Sequence, residues 1–352
     1  MVKRMKIFGI TDVHGHARAA RGALRMMGFD SSNPDHLLVV GGDNFDRGTE
    51  NLEVYSFLKG IKNKVLILGN HEDMLVKALK RGSLGKADYH NGTDITVEQF
   101  FGSCNLDPYG RILAPEGAKR ELYDFIGGMY DYFETENYVF THAWTPEAVT
   151  KDPAWRTAER RDWNEARWVE WNRIYPNHPK VEGKTVVCGH RSAWFGMTFD
   201  ESRPNNSFLP FYGDGIVVLD ASTNSTGMVN VFVVEDNVTV PEDHVITVTA
   251  EQLLRLGMPK TRFWLTSEAD AFERYSLTDT LEFTASNGEN TSVKKTVMGR
   301  YRYGELRALM KDISPEEIGF IESGEDEIGN KLISSFGEEN ICQNGILALR
   351  VF

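Results

Sequence analysis

The sequence predicts an α/β fold whose main sheet is mostly parallel, and a repeated strand, loop and helix pattern carries that prediction. Three such units follow one another, each with polar residues where the strand ends. Because the carboxyl ends of parallel strands meet at one edge of a sheet, those polar loops should converge there. The predicted strands and helices alternate along the chain as Lys6–Ile10, Ala17–Met27, Leu37–Val40, about 49–59, Val65–Leu68 and Asp73–Lys80.

Beyond these units the pattern loosens over about 81–132. We interpret this segment as an insertion over the edge where the polar loops converge, with a helix at Ala118–Ile126. Strand character returns at Tyr138–Phe140 and Thr185–Cys188. The apolar runs Ile216–Asp220 and Val229–Val234, joined by a Ser/Thr/Asn/Gly-rich segment, are typical of a β-hairpin.

The composition of the chain changes near residue 240, where a domain boundary is expected. We assign residues 1–240 to a catalytic domain and 241–352 to a smaller α+β accessory domain of unknown role. The second part contains no histidines at metal-binding spacing and no glycine-rich phosphate loop, so no chemistry is assigned to it.

Charge and cysteine content restrict the class of protein. The 352 residues carry a formal net charge of −12, which argues against extended binding to nucleic acid. Three cysteines without a CxxC pair indicate a reducing, cytoplasmic environment. The apolar stretch at the N-terminus is too short for a signal peptide or a membrane span.

The loop Gly41–Gly48 is the most informative stretch, because it follows a strand and contains Asp43, Asp46 and Arg47. Two carboxylates held this close repel each other unless a cation or a protonated partner lies between them. The loop therefore predicts a metal ion or a histidine nearby.

The other strand ends supply further ligands of the same kind. Mixed carboxylate, imidazole and amide oxygen groups favour Mn, Fe or Zn over calcium. Six candidate ligands are more than one catalytic ion needs, so we expect two divalent ions, with manganese first and iron or zinc as alternatives. The candidates are Asp12, His14, Asp43, Asn70, His142 and His190.

In this order, the motifs Asp12-x-His14, Gly42-Asp43-x-x-Asp46-Arg47-Gly48, Gly69-Asn70-His71-Glu72, His142 and Gly189-His190 resemble the metallophosphoesterase (calcineurin-like) superfamily. The resemblance covers about residues 5–235 and is strongest to the Ser/Thr protein phosphatase branch. Trp171-Asn172-Arg173 resembles a segment of the small bacterial and phage-type phosphatases. His16 and Asn91-Gly92-Thr93 depart from the pattern of those relatives.

The resemblance implies a layered α/β/β/α sandwich and a role for each site residue. It implies that Asp12, His14 and Asp43 bind one ion, and that Asp43, Asn70, His142 and His190 bind the other, so that Asp43 bridges them. His71 would be the general acid, oriented by Asp46, and Arg47 and Arg173 would hold the phosphoryl oxygens.

Several other conspicuous residues have plainer interpretations. Trp168 and Trp171 have the spacing of a helical packing face, although a base-stacking platform is the alternative. Glu72 should support the first turn of a helix, and Cys188 should fill a buried space. Asp220 is interpreted as a hairpin-turn residue, His16 as a residue at the rim, and His36 and His90 as ordinary surface or capping histidines.

The leading hypothesis is a dimetal phosphatase that hydrolyses phosphate monoesters, either on a phosphorylated protein or on a small ester. A dinucleoside polyphosphate hydrolase or a phosphodiesterase is the enzymatic alternative, because the same metals and arginines serve each reaction. A non-catalytic scaffold is disfavoured, since every predicted ligand is present.

Overall fold

The computed structural model describes residues 1–175, 177, 180–286, 291–320 and 324–352. The chain divides into two compact units, one formed by 1–148 and 164–239, the other by 149–163 and 240–352. The predicted division into domains 1–240 and 241–352 stays a prediction about parts that fold on their own. No helix in the described ranges has the length and apolar composition needed to cross a membrane.

The first unit is built on two sheets. One has the strand order β3-β2-β1-β9, with β1, β2 and β3 parallel and β9 antiparallel to β1. The strands are β1 Val2–Ile10, β2 His36–Val40, β3 Lys64–Leu66 and β9 Phe232–Thr239.

The second sheet has the order β4-β5-β6-β8-β7, with three parallel strands in its centre and an antiparallel strand at each edge. These strands are β4 Tyr132–Glu134, β5 Tyr138–Thr141, β6 Thr185–Cys188, β7 Phe211–Gly213 and β8 Ile216–Val218.

The two sheets pack face to face through an apolar core that includes Ile7, Val39, Phe140 and Val187. The other face of the first sheet packs against helices through a second core that contains Phe8, Leu24, Leu58 and Leu75. The outer layer over the second sheet is thin, with Trp171 stacked on Phe211 at 5.3 Å between ring centroids. This arrangement is the layered sandwich that the resemblance implied.

The helices of the first unit follow the strand, loop and helix pattern, but the segment 81–132 is more helical than predicted. They are α1 Ala17–Met26, α2 Asn51–Gly60, α3 Asn70–Arg81, α4 Lys86–Asn91, α5 Thr93–Phe101, α6 Glu116–Gly127, α9 Trp171–Ile174 and α10 Thr223–Thr226, while α7 Glu147–Thr150 and α8 Arg160–Ala166 extend into the range 149–163.

The predicted hairpin of residues 216–234 is wrong. Strand β8 lies in the second sheet, whereas β9 pairs with β1 in the first sheet. The polar linker that favoured a hairpin forms α10, which ends at Gly227 with a φ of 67°. Because both runs are apolar, each can pack in the core between the sheets, and sequence pattern alone cannot distinguish that path from a hairpin.

The second unit contains one five-stranded sheet with the order β10-β12-β13-β14-β11 and a core that includes Leu281, Phe283 and Leu349. Its elements are β10 Asp243–Val248, α11 Ala250–Leu256, β11 Phe263–Thr266, α12 Ala271–Arg274, β12 Thr280–Ala285, β13 Ser292–Tyr303, α13 Leu306–Asp312, α14 Glu325–Phe336, α15 Glu338–Asn344 and β14 Ile346–Val351. A mixed sheet with helices is the α+β architecture expected for this part of the chain.

Candidate metal centre

The predicted ligands follow five strand ends of the first unit. Asp12 and His14 follow β1, Asp43 follows β2, and Asn70 begins α3 after β3. The two remaining ligands, His142 and His190, follow β5 and β6, and the side chains are buried or nearly so. Four of these residues have a positive φ, a strained conformation that concentrates at functional sites: Asp12 at 51°, His14 at 44°, Asp43 at 53° and His190 at 64°.

Asp43 lies at the centre of the cluster. Its carboxylate oxygens are 3.7 Å from His14 Nε2 and 3.4 Å from His142 Nε2. Two groups of possible ligand atoms, His14 with Asp43 and His71, and Asp43 with His142 and His190, each fall within 4.8 Å. Asp43 belongs to both groups, which is the position that a bridging ligand needs.

The histidines are oriented by hydrogen bonds to backbone carbonyls. His14 Nδ1 lies 3.0 Å from the Phe45 carbonyl and His142 Nδ1 lies 2.8 Å from that of Gly41, while His190 bonds the Trp168 carbonyl. A ring nitrogen that donates to a carbonyl leaves the other nitrogen of a neutral imidazole with a lone pair. Burial lowers the pKa of His142 and of His190 to about 4, so both rings are neutral at pH 7.

These lone pairs meet at one place. The oxygen Asn70 Oδ1 lies 2.8 Å from His142 Nε2 and 3.0 Å from His190 Nδ1. Three acceptors this close repel one another unless a cation lies among them. The donor set therefore fits a divalent metal ion, because imidazole and amide oxygen are ordinary ligands of transition metals.

Glu72 holds the two loops that present the ligands. Its carboxylate accepts hydrogen bonds from the backbone N–H groups of Gly69, Asp43 and Asn44, at 2.8–2.9 Å. The loops approach so closely that a Cβ at Gly69 would overlap Asp43. Burial raises the pKa of Glu72 to about 7, with the nearby charge of Asp43 as the second cause. The side chain thus does more than support one helix, since it joins the Asp43 and Asn70 loops.

His71 lies beside this cluster with Asp46. Its Nδ1 is 2.8 Å from Asp46 Oδ2, and its Nε2 is 3.1 Å from Arg47 Nη2. Burial alone would lower the pKa of His71, but the carboxylates of Asp43 and Asp46 outweigh it and raise the pKa above its ordinary value. A raised pKa suits a group that must donate a proton near neutral pH.

Asp46 is fixed by two threonines, neither of which was assigned a role from the sequence. Thr93 Oγ1 donates to one oxygen at 2.9 Å, and Thr96 Oγ1 donates to the other at 2.7 Å. Both threonines belong to α5, in the segment interpreted as an insertion over the site. Their distance from Asp46 in the sequence hides the contact.

Arg173 has a different environment. Its side chain is 77% exposed, and its Nε forms a 2.6 Å ion pair with Glu170. Within the described ranges, none of its hydrogen bonds or ion pairs joins it to a predicted ligand. Its neighbour Trp171 is buried and donates from Nε1 to the Arg191 carbonyl at 2.7 Å.

The tryptophans do not share one helical face, so that part of the prediction is wrong. Trp168 lies between α8 and α9, is 50% exposed, and its ring meets the His190 ring edge-to-face at 6.0 Å between centroids. Packing does explain Trp155 and Trp163, which are buried and meet edge-to-face in the second unit.

Asp220 is not a hairpin-turn residue, contrary to its interpretation from the sequence. It is buried directly after β8, where its Oδ1 accepts from the Ser222 N–H at 2.7 Å. Burial raises the pKa of Asp220 to about 6, and the charge of Asp43 contributes to the same shift. Its position at the end of a parallel strand was the signal that could have identified it.

The remaining interpretations from the sequence concern three histidines and one cysteine outside the predicted ligand set. His16 Nδ1 lies 2.6 Å from the His14 carbonyl, so it borders the first ligand loop. Cys188 is buried, as expected of a small space-filling residue. His36 accepts a hydrogen bond from the Asp30 N–H, and His90 is exposed in the last turn of α4.

Comparison with curated proteins finds relatives over part of the chain. Over 82 residues the chain is 37% identical to the symmetrical bis(5'-nucleosyl)-tetraphosphatase of Coxiella burnetii, a match that covers 23% of this chain and 27% of that protein. The chain therefore spans little more than a quarter of the length of the curated relatives that it matches.

Two solved structures are similar to the chain at low identity. One is a cold-active protein tyrosine phosphatase, at 15% identity and a TM-score of 0.40, which covers 65% of this chain and 73% of that one. The other is a protein serine/threonine phosphatase from Saccharomyces cerevisiae, at 14% identity and a TM-score of 0.36, which covers 67% and 80%.

The family comparison covers more than half of the chain. The model of the calcineurin-like phosphoesterase family matches residues 5–219, a range that contains every predicted ligand. The chain thus belongs to the calcineurin-like phosphoesterase (metallophosphoesterase) family, whose members are metal-dependent hydrolases of phosphoric esters.

Proposed function

We propose that the protein is a dimetal-dependent phosphatase that hydrolyses phosphate monoesters. The observation that carries this proposal is the position of Asp43, whose carboxylate lies 3.7 Å from His14 Nε2 and 3.4 Å from His142 Nε2, next to the His71–Asp46 pair. Such a site combines a place for two cations with a proton donor.

In this proposal Asp12, His14 and Asp43 hold one ion, and Asp43, Asn70, His142 and His190 hold the other. Ions held there supply Lewis acidity and make water nucleophilic near neutral pH. Manganese is the favoured metal, with iron or zinc as alternatives, because the donors are imidazole, carboxylate and amide oxygen without thiolate.

The chain's own residues would then handle the proton and the charge. His71, held by Asp46, donates a proton to the departing alkoxide oxygen. Arg47 would hold a phosphoryl oxygen beside His71, since its Nη2 lies 3.1 Å from His71 Nε2. Thr93 and Thr96 keep Asp46 from turning away from the His71 ring.

A dinucleoside polyphosphate hydrolase is the second candidate. The half-exposed ring of Trp168 beside His190 offers an aromatic surface on which a nucleobase can stack. The curated relatives from Coxiella burnetii are named as tetraphosphatases of this kind, although the match covers only part of them.

A substrate panel tests the two candidates. The metal-reconstituted protein is assayed with para-nitrophenyl phosphate, its bis-ester, a phosphopeptide and diadenosine tetraphosphate, with the EDTA-treated protein as the control. Metal-dependent turnover that is highest on the monoesters is expected. Preference for diadenosine tetraphosphate would favour the second candidate, and no turnover on any substrate with Mn would favour a non-catalytic scaffold.

Arg173 stays a prediction as a second phosphate-binding residue. The comparison of Arg47→Lys with Arg173→Lys on one phosphomonoester decides it, since an ammonium group cannot make the bidentate contact of a guanidinium. A rate equal to wild type in Arg173→Lys would leave Arg173 in its ion pair with Glu170.

A further inference from the structure

The second unit contains a cavity of about 260 Å³. Its walls come from α11, β11, the turn Pro315–Ile318 with the following Phe320, and the C-terminal half of α14. An interior cavity of about 150 Å³ can hold benzene, so this one has room for a molecule of about two fused rings. The cavity lies in the part of the chain to which no chemistry is assigned.

Apolar side chains make up about half of the cavity wall. Leu256, Phe263 and Leu332 line it and are themselves largely buried, and the rings of Trp264 and Phe336 add aromatic surface. Walls of this kind favour the apolar body of a small ligand. Its described lining contains no histidine, cysteine or aspartate, so the cavity is suited to binding rather than to catalysis.

Two cations of the wall meet at one aromatic ring. Arg255 Cζ lies 4.4 Å and Lys331 Nζ 5.7 Å from the centroid of the Phe320 ring, although the cations come from different helices, α11 and α14. Gly319, with a φ of 80°, allows the approach, because a Cβ there would lie 2.8 Å from Arg255 Cβ. The positive charge of the wall is thus concentrated beside Phe320.

Arg255 has hydrogen-bond donors to spare. Its side chain is 20% exposed, yet its guanidinium donates no hydrogen bond to a residue in the described ranges, and the carboxylate of Glu251 is 3.9 Å away. Arg300 and Arg350 of the same unit each donate to a backbone carbonyl. Stacking on Phe320 occupies the face of the Arg255 guanidinium and leaves its in-plane N–H groups for an acceptor.

The charges around the cavity favour an anion with a single charge. Glu251 faces Arg255, and Glu327 pairs with Lys331 at 2.8 Å, so these four charges sum to zero. A monocarboxylate brings one negative charge to this neutral group, whereas a phosphate dianion brings two to a chain that already carries −12. A carboxylate also matches the planar fork of a guanidinium.

We propose that this cavity binds an aromatic monocarboxylate of about two rings. The carboxylate accepts hydrogen bonds from Arg255 beside Phe320, and the rings occupy the apolar part of the cavity that Trp264 and Leu332 line. The proposal does not depend on the hydrolytic function, and it gives the second unit a role as a ligand-binding domain.

The first test compares two ligands that differ in charge. Binding of 1-naphthoate and of uncharged 1-naphthamide to the Mn-loaded full chain is measured by calorimetry. Arg255→Gln should weaken naphthoate binding by roughly 10- to 100-fold, the range for a charged hydrogen bond, and naphthamide binding by less than about 3-fold. The matched control is Arg302→Gln, which should bind as wild type, because Arg302 also lies over a phenylalanine ring, Phe272, at 5.5 Å but does not line the cavity.

The second test fills the cavity from its exposed side. Ser334 lines the cavity and is exposed on α14, so Ser334→Trp should abolish the binding of both ligands. Its neighbour Ile333 is 37% exposed and does not line the cavity, so Ile333→Trp is the control and should bind as wild type. Thermal unfolding of each variant shows whether it is folded, and Arg255→Gln decides the matter if Ser334→Trp is not.

Three outcomes would overturn the proposal. Naphthoate binding that is unchanged in Arg255→Gln and Ser334→Trp would place the ligand elsewhere, for example at the metal ions. Equal affinity of the wild type for naphthoate and naphthamide would show an apolar cavity without an anion site. The absence of naphthoate binding at millimolar concentration would exclude this class of ligand.

Discussion

One buried polar cluster in each unit of the chain shows a contrast in hydrogen bonding. In the second unit, the buried carboxylate of Asp279 accepts from the Glu242 and Ser276 N–H groups and contacts His244. In the first unit, Asn70 Oδ1 faces two histidine nitrogens, and Asp12 and Asp43 lie close enough for their charges to interact. The Asp279 carboxylate thus has donors within its own unit, whereas the Asn70 oxygen and the two histidine nitrogens are acceptors that face one another.

The backbone shows the same contrast. Among non-glycine residues that the structure describes, the second unit has a positive φ only at Lys151 and Thr278. In the first unit six predicted site residues have one: Asp12, His14, Asp43, Asp46, Arg47 and His190. Because such conformations cost of order 1–3 kcal/mol each, their concentration marks where the fold holds side chains in place for chemistry.

The largest effect is expected from the carboxylate that both groups of ligands share. Asp43→Asn should lose metal and nearly all turnover, because a neutral amide cannot offset two dications. Metal analysis and activity are measured on the same sample. Two ions per chain retained in this variant would remove Asp43 from the bridging position.

The next effect separates the proton donor from the ligands. His71→Ala should keep its metal and lose about 10²–10⁴-fold in turnover of an alkyl phosphate, the usual value of general acid help. Para-nitrophenyl phosphate, whose leaving group needs no proton, should suffer far less. The exposed His90 supplies the control His90→Ala, and equal losses on both esters would exclude His71 as the acid.

A core substitution in the second unit tests the other side of the comparison. Leu281 is fully buried on β12, so Leu281→Ala should lower the free energy of unfolding of that unit by about 2–5 kcal/mol. Metal content per chain should remain as in wild type, because all predicted ligands belong to the first unit. Chemical denaturation and metal analysis measure the two quantities, and loss of metal would contradict the separation.

A smaller loss of turnover is expected when the hydrogen bond from Thr96 to Asp46 is removed. Thr96→Val keeps the shape of the side chain but leaves Asp46 Oδ1 without a donor, which costs about 1–3 kcal/mol of stability. Turnover of an alkyl phosphate should fall by roughly tenfold, since 1.4 kcal/mol corresponds to that factor. Thr223→Val is the matched control, because the buried Thr223 hydroxyl makes no hydrogen bond within the described ranges. Equal behaviour of the two variants would dismiss the role of Thr96.

The smallest effect concerns Cys188, which ends β6 just before the ligand His190. Burial raises the pKa of its thiol far above the ordinary range, so almost no thiolate forms at pH 8. Iodoacetamide should label the exposed Cys104 and Cys342 in the native protein and reach Cys188 only after denaturation. Mass spectrometry of the labelled peptides counts the sites, and native labelling of Cys188 would show that this strand end opens.

The sequence predicted which side chains lie close together better than it predicted the path of the chain. Polar residues after apolar runs located the loops that meet, because the carboxyl ends of parallel strands lie at one edge whatever the loop lengths. The same rule would have included Asp220, but the linker that follows it suggested a hairpin. The pairing of β9 with β1 joins residues that are more than 200 positions apart, and the local pattern of apolar and polar residues cannot predict such a long-range contact.

Residues that support the ligands were also hidden from sequence reasoning, for a physical reason. Thr93 and Thr96 act through hydrogen bonds whose partner, Asp46, is set by packing rather than by spacing. Glu72 was recognised as a helix-end carboxylate, yet its bonds to the Asp43 loop could not be foreseen from α3 alone. Roles that depend on one element are readable from sequence, while roles that join two elements need coordinates.

The division of the chain has a consequence for how the protein is made. Residues 149–163 belong to the second unit, and the turn Trp155–Thr157 packs on β13, which lies well over 100 residues later. At about 5–20 residues per second, translation leaves Trp155 without that partner for roughly 7–30 s. A fragment that ends at residue 240 would lack β13 altogether, so the Trp155 ring would lose this contact when the first unit is expressed with residues 149–163 alone.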